Sequence, residues 1–139
     1  TASHIEKLGA YRLLDSRQLP DTIFDVLAVR STVSGRYEHA LRALIAAHFR
    51  AIAHLGSYPQ DAAYRMATRL NLHGEDTLKA FRRLHLPGIT HNRKLLATTG
   101  RLYQIASELS ELMLRQQLLP AADDLSRLTN DSFLPAKDS

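Results

Sequence analysis

Apolar residues recur at helical spacing through the stretch Arg36–Gly56: Tyr37, Leu41, Leu44, Ile45, Ile52 and Leu55, with His48 completing the stripe. Spacings of three and four, held over the whole stretch, predict one long amphipathic helix. Arg36, Glu38, His39, Arg42, Ala46 and Arg50 take its other face. Ser34 or Gly35 can cap its start and Gly56 can stop it. A stripe this broad has to lie on a core. Everything before it reads as extended, and everything after it as helical.

In the extended part, Ala2–Leu8 is a short helix ended by Gly9. Tyr11–Asp15 is a strand, and Ser16–Thr22 is a crossing loop in which Pro20 fixes the backbone. Ile23–Arg30, sequence IFDVLAVR, is the clearest strand pattern, nearly all apolar, as in a strand covered on both faces. Asp25 interrupts it. A carboxylate there needs an edge position with a hydrogen bond, or a ligand.

In the helical part, Pro59 opens a helix, with Gln60 and Asp61 in its first turn. Ala62, Ala63, Met66, Ala67 and Leu70 form its inner face, and Asn71-Leu72-His73-Gly74 breaks it. Glu75 and Asp76 open the next helix, with Leu78, Phe81 and Leu84 inward. Residues 85–89 are extended, and Thr90 caps a short helix through Ala97. A long helix runs from Gly100 to Gln117 on the stripe Leu102, Ile105, Ala106, Leu109, Leu112 and Met113. Asp124–Leu128 adds a turn or two. Phe133 and Leu134 anchor the end, and residues 136–139 fray.

Composition narrows the chemistry. The 139 residues suit one domain, and 45% hydrophobic with 23% charged is ordinary for a globular protein. No apolar run approaches the roughly 20 residues of a membrane span, and the opening residues are no signal peptide. Without cysteine there is no disulfide frame and no thiolate chemistry. A net charge of +4 permits nucleic acid as a partner without demanding it. The seven histidines contain no pair at i, i+4 and no HExxH, so the sequence predicts no metal site. Neither Ser16 nor Ser34 sits in a nucleophile elbow, no phosphate loop is present, and Glu75-Asp76 read as helix-start charges. The chain is therefore read as non-enzymatic, with no catalytic residue and no cofactor.

Residues 62–84 scan as a helix-turn-helix, which offers a DNA-binding regulator as the alternative function. Glu75 and Asp76 weaken it, because they open the recognition helix where phosphates would lie. Arg82 and Arg83 sit at its far end.

Three runs carry a resemblance: GAYRLLDSRQLPDTIFDVLAVR (Gly9–Arg30), LRALIAAHFRAIAHLGSYPQDAAYRMATRLNL (Leu41–Leu72) and LLPAADDLSRLTNDSFLP (Leu118–Pro135). In that order they resemble the C-terminal part of periplasmic solute-binding proteins of ABC importers, of the nitrate, sulfonate, taurine and thiamine-precursor group. The resemblance implies a helix-dominated α/β fold, the C-terminal portion of a two-lobed periplasmic binding protein with two main strands. Residues 1–22 would end the second lobe and form the hinge crossing, and residues 23–135 would be the C-terminal part of the first lobe. The function implied is capture of a small solute and its delivery to a membrane permease, in the periplasm or otherwise outside the cytoplasm, with no nucleic acid bound. Ser16, Asp21 and Thr22 are the candidate ligand-binding residues, because the crossing borders the cleft. The chain reads as the later half of such a protein, so on its own it is expected to bind solute weakly or not at all. Left without partner strands, Ile23–Arg30 is expected to drive self-association, a homodimer being the simplest form.

Overall fold

The computed structural model describes residues 5, 8–11, 13–82 and 84–136. Most of the helix expected at Ala2–Leu8, and nearly all of the tail expected to fray, lie outside them. The described chain is helical: α1 (Ser31–Ser34), α2 (Glu38–Ser57), α3 (Pro59–Leu70), α4 (Gly74–Phe81), α5 (Ile89–Leu96) and α6 (Arg101–Arg115), with short 3-10 turns at Ser16–Gln18 and Leu125–Arg127. No strand or sheet occurs among the described residues, which overturns the expected α/β class and both of its strands.

The reason is non-local. Residues 22–30 do run without helix, but a strand exists only when a neighbouring strand accepts and donates its main-chain hydrogen bonds, and among the described residues none does so for 22–29. The side chains follow suit: Ile23 is 67% exposed, Val26 63% and Leu27 60%, and Tyr11 and Leu13 are more open still. Asp25 is exposed among them. The whole chain exposes 11539 Å², where a compact protein of this mass exposes roughly 7,200 Å².

Local signals set the helices. α2 begins at Glu38 rather than Arg36, because Ser31–Ser34 and Gly35 form and close a separate turn of helix. Pro59 takes the first position of α3, and Asn71, left-handed at φ 52°, ends it. α5 starts on Ile89 after Gly88, one residue before the expected Thr90 cap. Gln117, at φ 57°, turns the chain out of α6.

Most of the buried residues lie between α3 and α4, with Ile89 of α5 buried as well. Ala62, Ala63 and Ala67 are buried on one side, and Gly74 and Thr77 on the other. Small residues let the two helices approach so closely that a Cβ on Gly74 would sit 2.6 Å from the Tyr64 ring. The α2 stripe is half-buried at best: Leu41, Ile45, Phe49, Ile52 and Leu55 turn inward, while His48 faces solvent. Phe49 thus takes the place the pattern assigned to His48.

Thr77 is fully buried, and its hydroxyl has no hydrogen-bond partner. An unpaired buried hydroxyl carries its desolvation cost uncompensated. Replacing it by the isosteric methyl of Thr77→Val is expected to stabilise the fold by about 1 kcal/mol. Thermal denaturation should show the midpoint rising by roughly 3–5 °C. An unchanged or lower midpoint would mean that the hydroxyl is satisfied.

Candidate functional site

The crossing loop holds the three candidate residues Ser16, Asp21 and Thr22. Ser16 opens the 3-10 turn, in which Gln18 N–H donates to Asp15 O at 3.0 Å and Leu19 N–H to Ser16 O at 3.1 Å. Asp21 adopts a left-handed backbone at φ 50°. Its carbonyl accepts from Arg101 Nε at 3.2 Å, which ties the loop to the start of α6. The Thr22 hydroxyl donates to Pro20 O at 3.1 Å and is half-buried. Ser16 and Asp21 are exposed, so the three candidates share one loop and remain accessible. They line neither of the two clefts described next.

One shallow cleft, about 430 Å³, opens at the corner where α2 meets α3, lined by Ser57, Tyr58, Pro59, Gln60, Asp61, Leu78 and Arg82. Asp61 Oδ2 is its polar centre, 2.7 Å from His54 Nε2 and 2.7 Å from Arg65 Nε. The His54 ring lies 5.2 Å from that of Tyr58. The hydrogen bond from His54, and after it the one from Arg65, hold the Asp61 carboxyl below its ordinary value of 3.8. Sequence reasoning missed this trio. Asp61 and Arg65 are an i, i+4 pair that could have been read, but His54 joins them only through the turn between two helices.

The consequence for pH has a definite sign. A carboxylate with a depressed folded pKa stabilises the fold above its unfolded value, and this is lost as pH falls through the folded value. For Asp61 the loss lies below pH 3.8. Asp61→Asn should melt slightly below the wild type at pH 7, and the gap should close as pH falls below 3.8. A gap that persists in acid would assign the difference to packing.

A second cleft, about 440 Å³, is lined by Arg42, Ala46, Arg93 and residues 133–136. The chain's own end forms one of its walls. Elsewhere, the rings of His85 and His91 meet edge to face at 5.5 Å. No group of three or more potential metal ligands forms among the described residues. No helix among them is long and apolar enough to cross a membrane.

The helix-turn-helix stretch does form a tight pair, α3 and α4, joined through left-handed Asn71. α4 has only eight residues, and Glu75 and Asp76 fill its first turn. Asp76 faces Lys79 at 3.7 Å. The exposed start of this helix therefore presents negative charge where a phosphate backbone would have to approach.

No protein-family model matches this chain, and neither does any curated protein or solved structure.

Proposed function

We propose that this chain serves in the solute-binding component of an ABC importer. It would capture a small anionic or heteroaromatic solute, such as a sulfonate, nitrate or thiamine precursor, outside the cytoplasm and present it to a membrane permease. The ordered set of three sequence runs carries the reading. The uncovered apolar surface supports it: Tyr11, Leu13, Ile23, Val26 and Leu27 stand more than half exposed, a surface that a second lobe would cover. Solute capture asks for such an arrangement, because a cleft needs walls on two sides.

The crossing supplies the chemistry. Ser16 offers a hydroxyl, Thr22 a second one whose proton goes to the Pro20 carbonyl, and the Asp21 main-chain carbonyl holds the Arg101 guanidinium at the loop. Hydroxyl donors and a guanidinium suit a planar or tetrahedral oxyanion. No bond is made or broken in this scheme.

DNA binding by residues 62–84 is the rival, and the carboxylates at the start of α4 count against it. Uptake separates the two. Cells deleted for this gene should accumulate less labelled taurine, alkanesulfonate, nitrate or pyrimidine precursor than the parent, and restoring the gene should recover it. Unchanged uptake of every one of these solutes would contradict the importer reading.

A further inference from the structure

The larger helix packings fall into two groups. α2 packs on α3 and α3 on α4; α5 packs on α6, which also meets the turn Leu125–Arg127. Among the described residues no helix packing of that extent joins the groups. The end of the chain does. Arg42 of α2 donates from Nη1 to the Ser132 carbonyl at 2.6 Å, and its guanidinium lies 5.2 Å from the Phe133 ring. Arg93 of α5 donates from Nη2 to the Pro135 carbonyl at 2.5 Å and sits 3.6 Å from the Asp131 carboxylate. Glu38 holds Arg42 from behind, at 2.9 Å from Nε, so the fork that reads the segment is fixed in direction.

We propose that the surface formed by Arg42 of α2 and Arg93 of α5 is a recognition site for a short peptide of the pattern Asp-x-Phe-Leu-Pro, a place that Asp131–Pro135 takes in cis. Each of the pattern's outer features has its reader. Arg93 takes the acidic side chain and the last carbonyl. Arg42 takes the middle carbonyl and the aromatic face, a cation over a ring. The segment arrives pre-shaped: Leu134 N–H donates to Asp131 O at 3.0 Å, and Ser132 N–H to the Asn130 side chain at 2.9 Å. Phe133, Leu134 and Pro135 are only half-buried, as suits a ligand seated on a surface and able to leave it. In cis the segment straps the two helix groups together. This inference stands apart from the importer reading and survives its failure.

A labelled Asn-Asp-Ser-Phe-Leu-Pro peptide tests it by fluorescence anisotropy on the full chain. Phe133→Ala loosens the cis segment and leaves Arg42 and Arg93 in place. It should bind the peptide at least about tenfold more tightly than the wild type, whose own tail competes at an effective concentration on the order of millimolar. Adding Arg42→Gln and Arg93→Gln to that variant should abolish the gain. Equal binding by all three forms, or none by any while their helical signal is intact, overturns the proposal. Amide exchange on the unaltered chain gives a second readout. The Ser132 and Leu134 amides should exchange at least about tenfold more slowly than in the free peptide, a protection that hydrogen-bonded seating requires. Coil-like exchange at both would overturn it as well.

Discussion

The unaltered chain is expected to self-associate, and the double substitution Val26→Lys, Leu27→Asp is expected to leave it monomeric. Ile23, Val26 and Leu27 stand more than half exposed, and the main chain around them has no hydrogen-bonded neighbour among the described residues. An extended apolar segment with unpaired N–H and C=O groups is a template for pairing with another chain. Covering even about 1,000 Å² of such surface is worth roughly 25 kcal/mol before the costs of association and ordering. That is enough to hold two copies together at micromolar concentration. Charges at two adjacent positions occupy both faces of the segment and must be desolvated on either. Light scattering should therefore give the wild-type chain a mass well above 15.6 kDa, and the double variant a mass near that value. A monomeric wild type that unfolds cooperatively would show that the helices complete their own core.

Gly100→Ala is expected to be the most damaging single methyl in the chain. Gly100 caps α6 in an extended conformation, φ −72° and ψ 162°, which alanine adopts without strain. The obstacle is space. A Cβ there would press on the carbonyl oxygens of Lys94, Leu95 and Ala97, all main-chain atoms at the end of α5. Main chain cannot rotate away as a side chain does, so α5 and α6 must separate. We expect a loss of about 2–3 kcal/mol and a midpoint roughly 10 °C lower in thermal denaturation followed by circular dichroism. Gly56→Ala is the control: it lies inside α2 with open space around it, and should be stabilising by about 0.5–1 kcal/mol through helix propensity. Equal effects at the two sites would mean that α5 and α6 do not meet as closely as described.

The helices were legible because their signals are local. Pro59, Asn71, Gly88 and Gly100 mark ends, so α2, α3, α5 and α6 fall where periodicity puts them within a residue or two, while α4 stops at Phe81 and leaves Leu84 exposed, and Leu109 and Leu112 of the expected α6 stripe are exposed as well. His48 and Phe49 show the limit of that reading. They are neighbours on the helix, and which one turns inward depends on where α3 packs, which no repeat encodes. The failure at Ile23–Arg30 has a different cause. Its composition suits a strand, but β-structure belongs to a pair of segments, and the pattern of one says nothing about whether the other is there.

The candidate residues divide in the same way. Ser16, Asp21 and Thr22 are candidates through the resemblance, which sets the crossing beside a cleft, while the hydrogen bond from Arg101 to Asp21 spans 80 residues and no sequence pattern marks it. Phe133 and Leu134 are legible as a C-terminal anchor. The arginines that hold that segment, Arg42 and Arg93, lie 90 and 42 residues from the carbonyls they grip. Only the folded chain brings them there.

Solute capture is tested most directly by thermal-shift titration of the full natural gene product with taurine, alkanesulfonates, nitrate and pyrimidine precursors of thiamine, with duplex DNA alongside. One solute class should raise the midpoint, with about 2.7 kcal/mol of added stability at a hundredfold excess over Kd. DNA should leave it unmoved. A flat response to every solute, together with tight duplex binding that weakens steeply as salt is added, would contradict solute capture and favour the DNA-binding alternative.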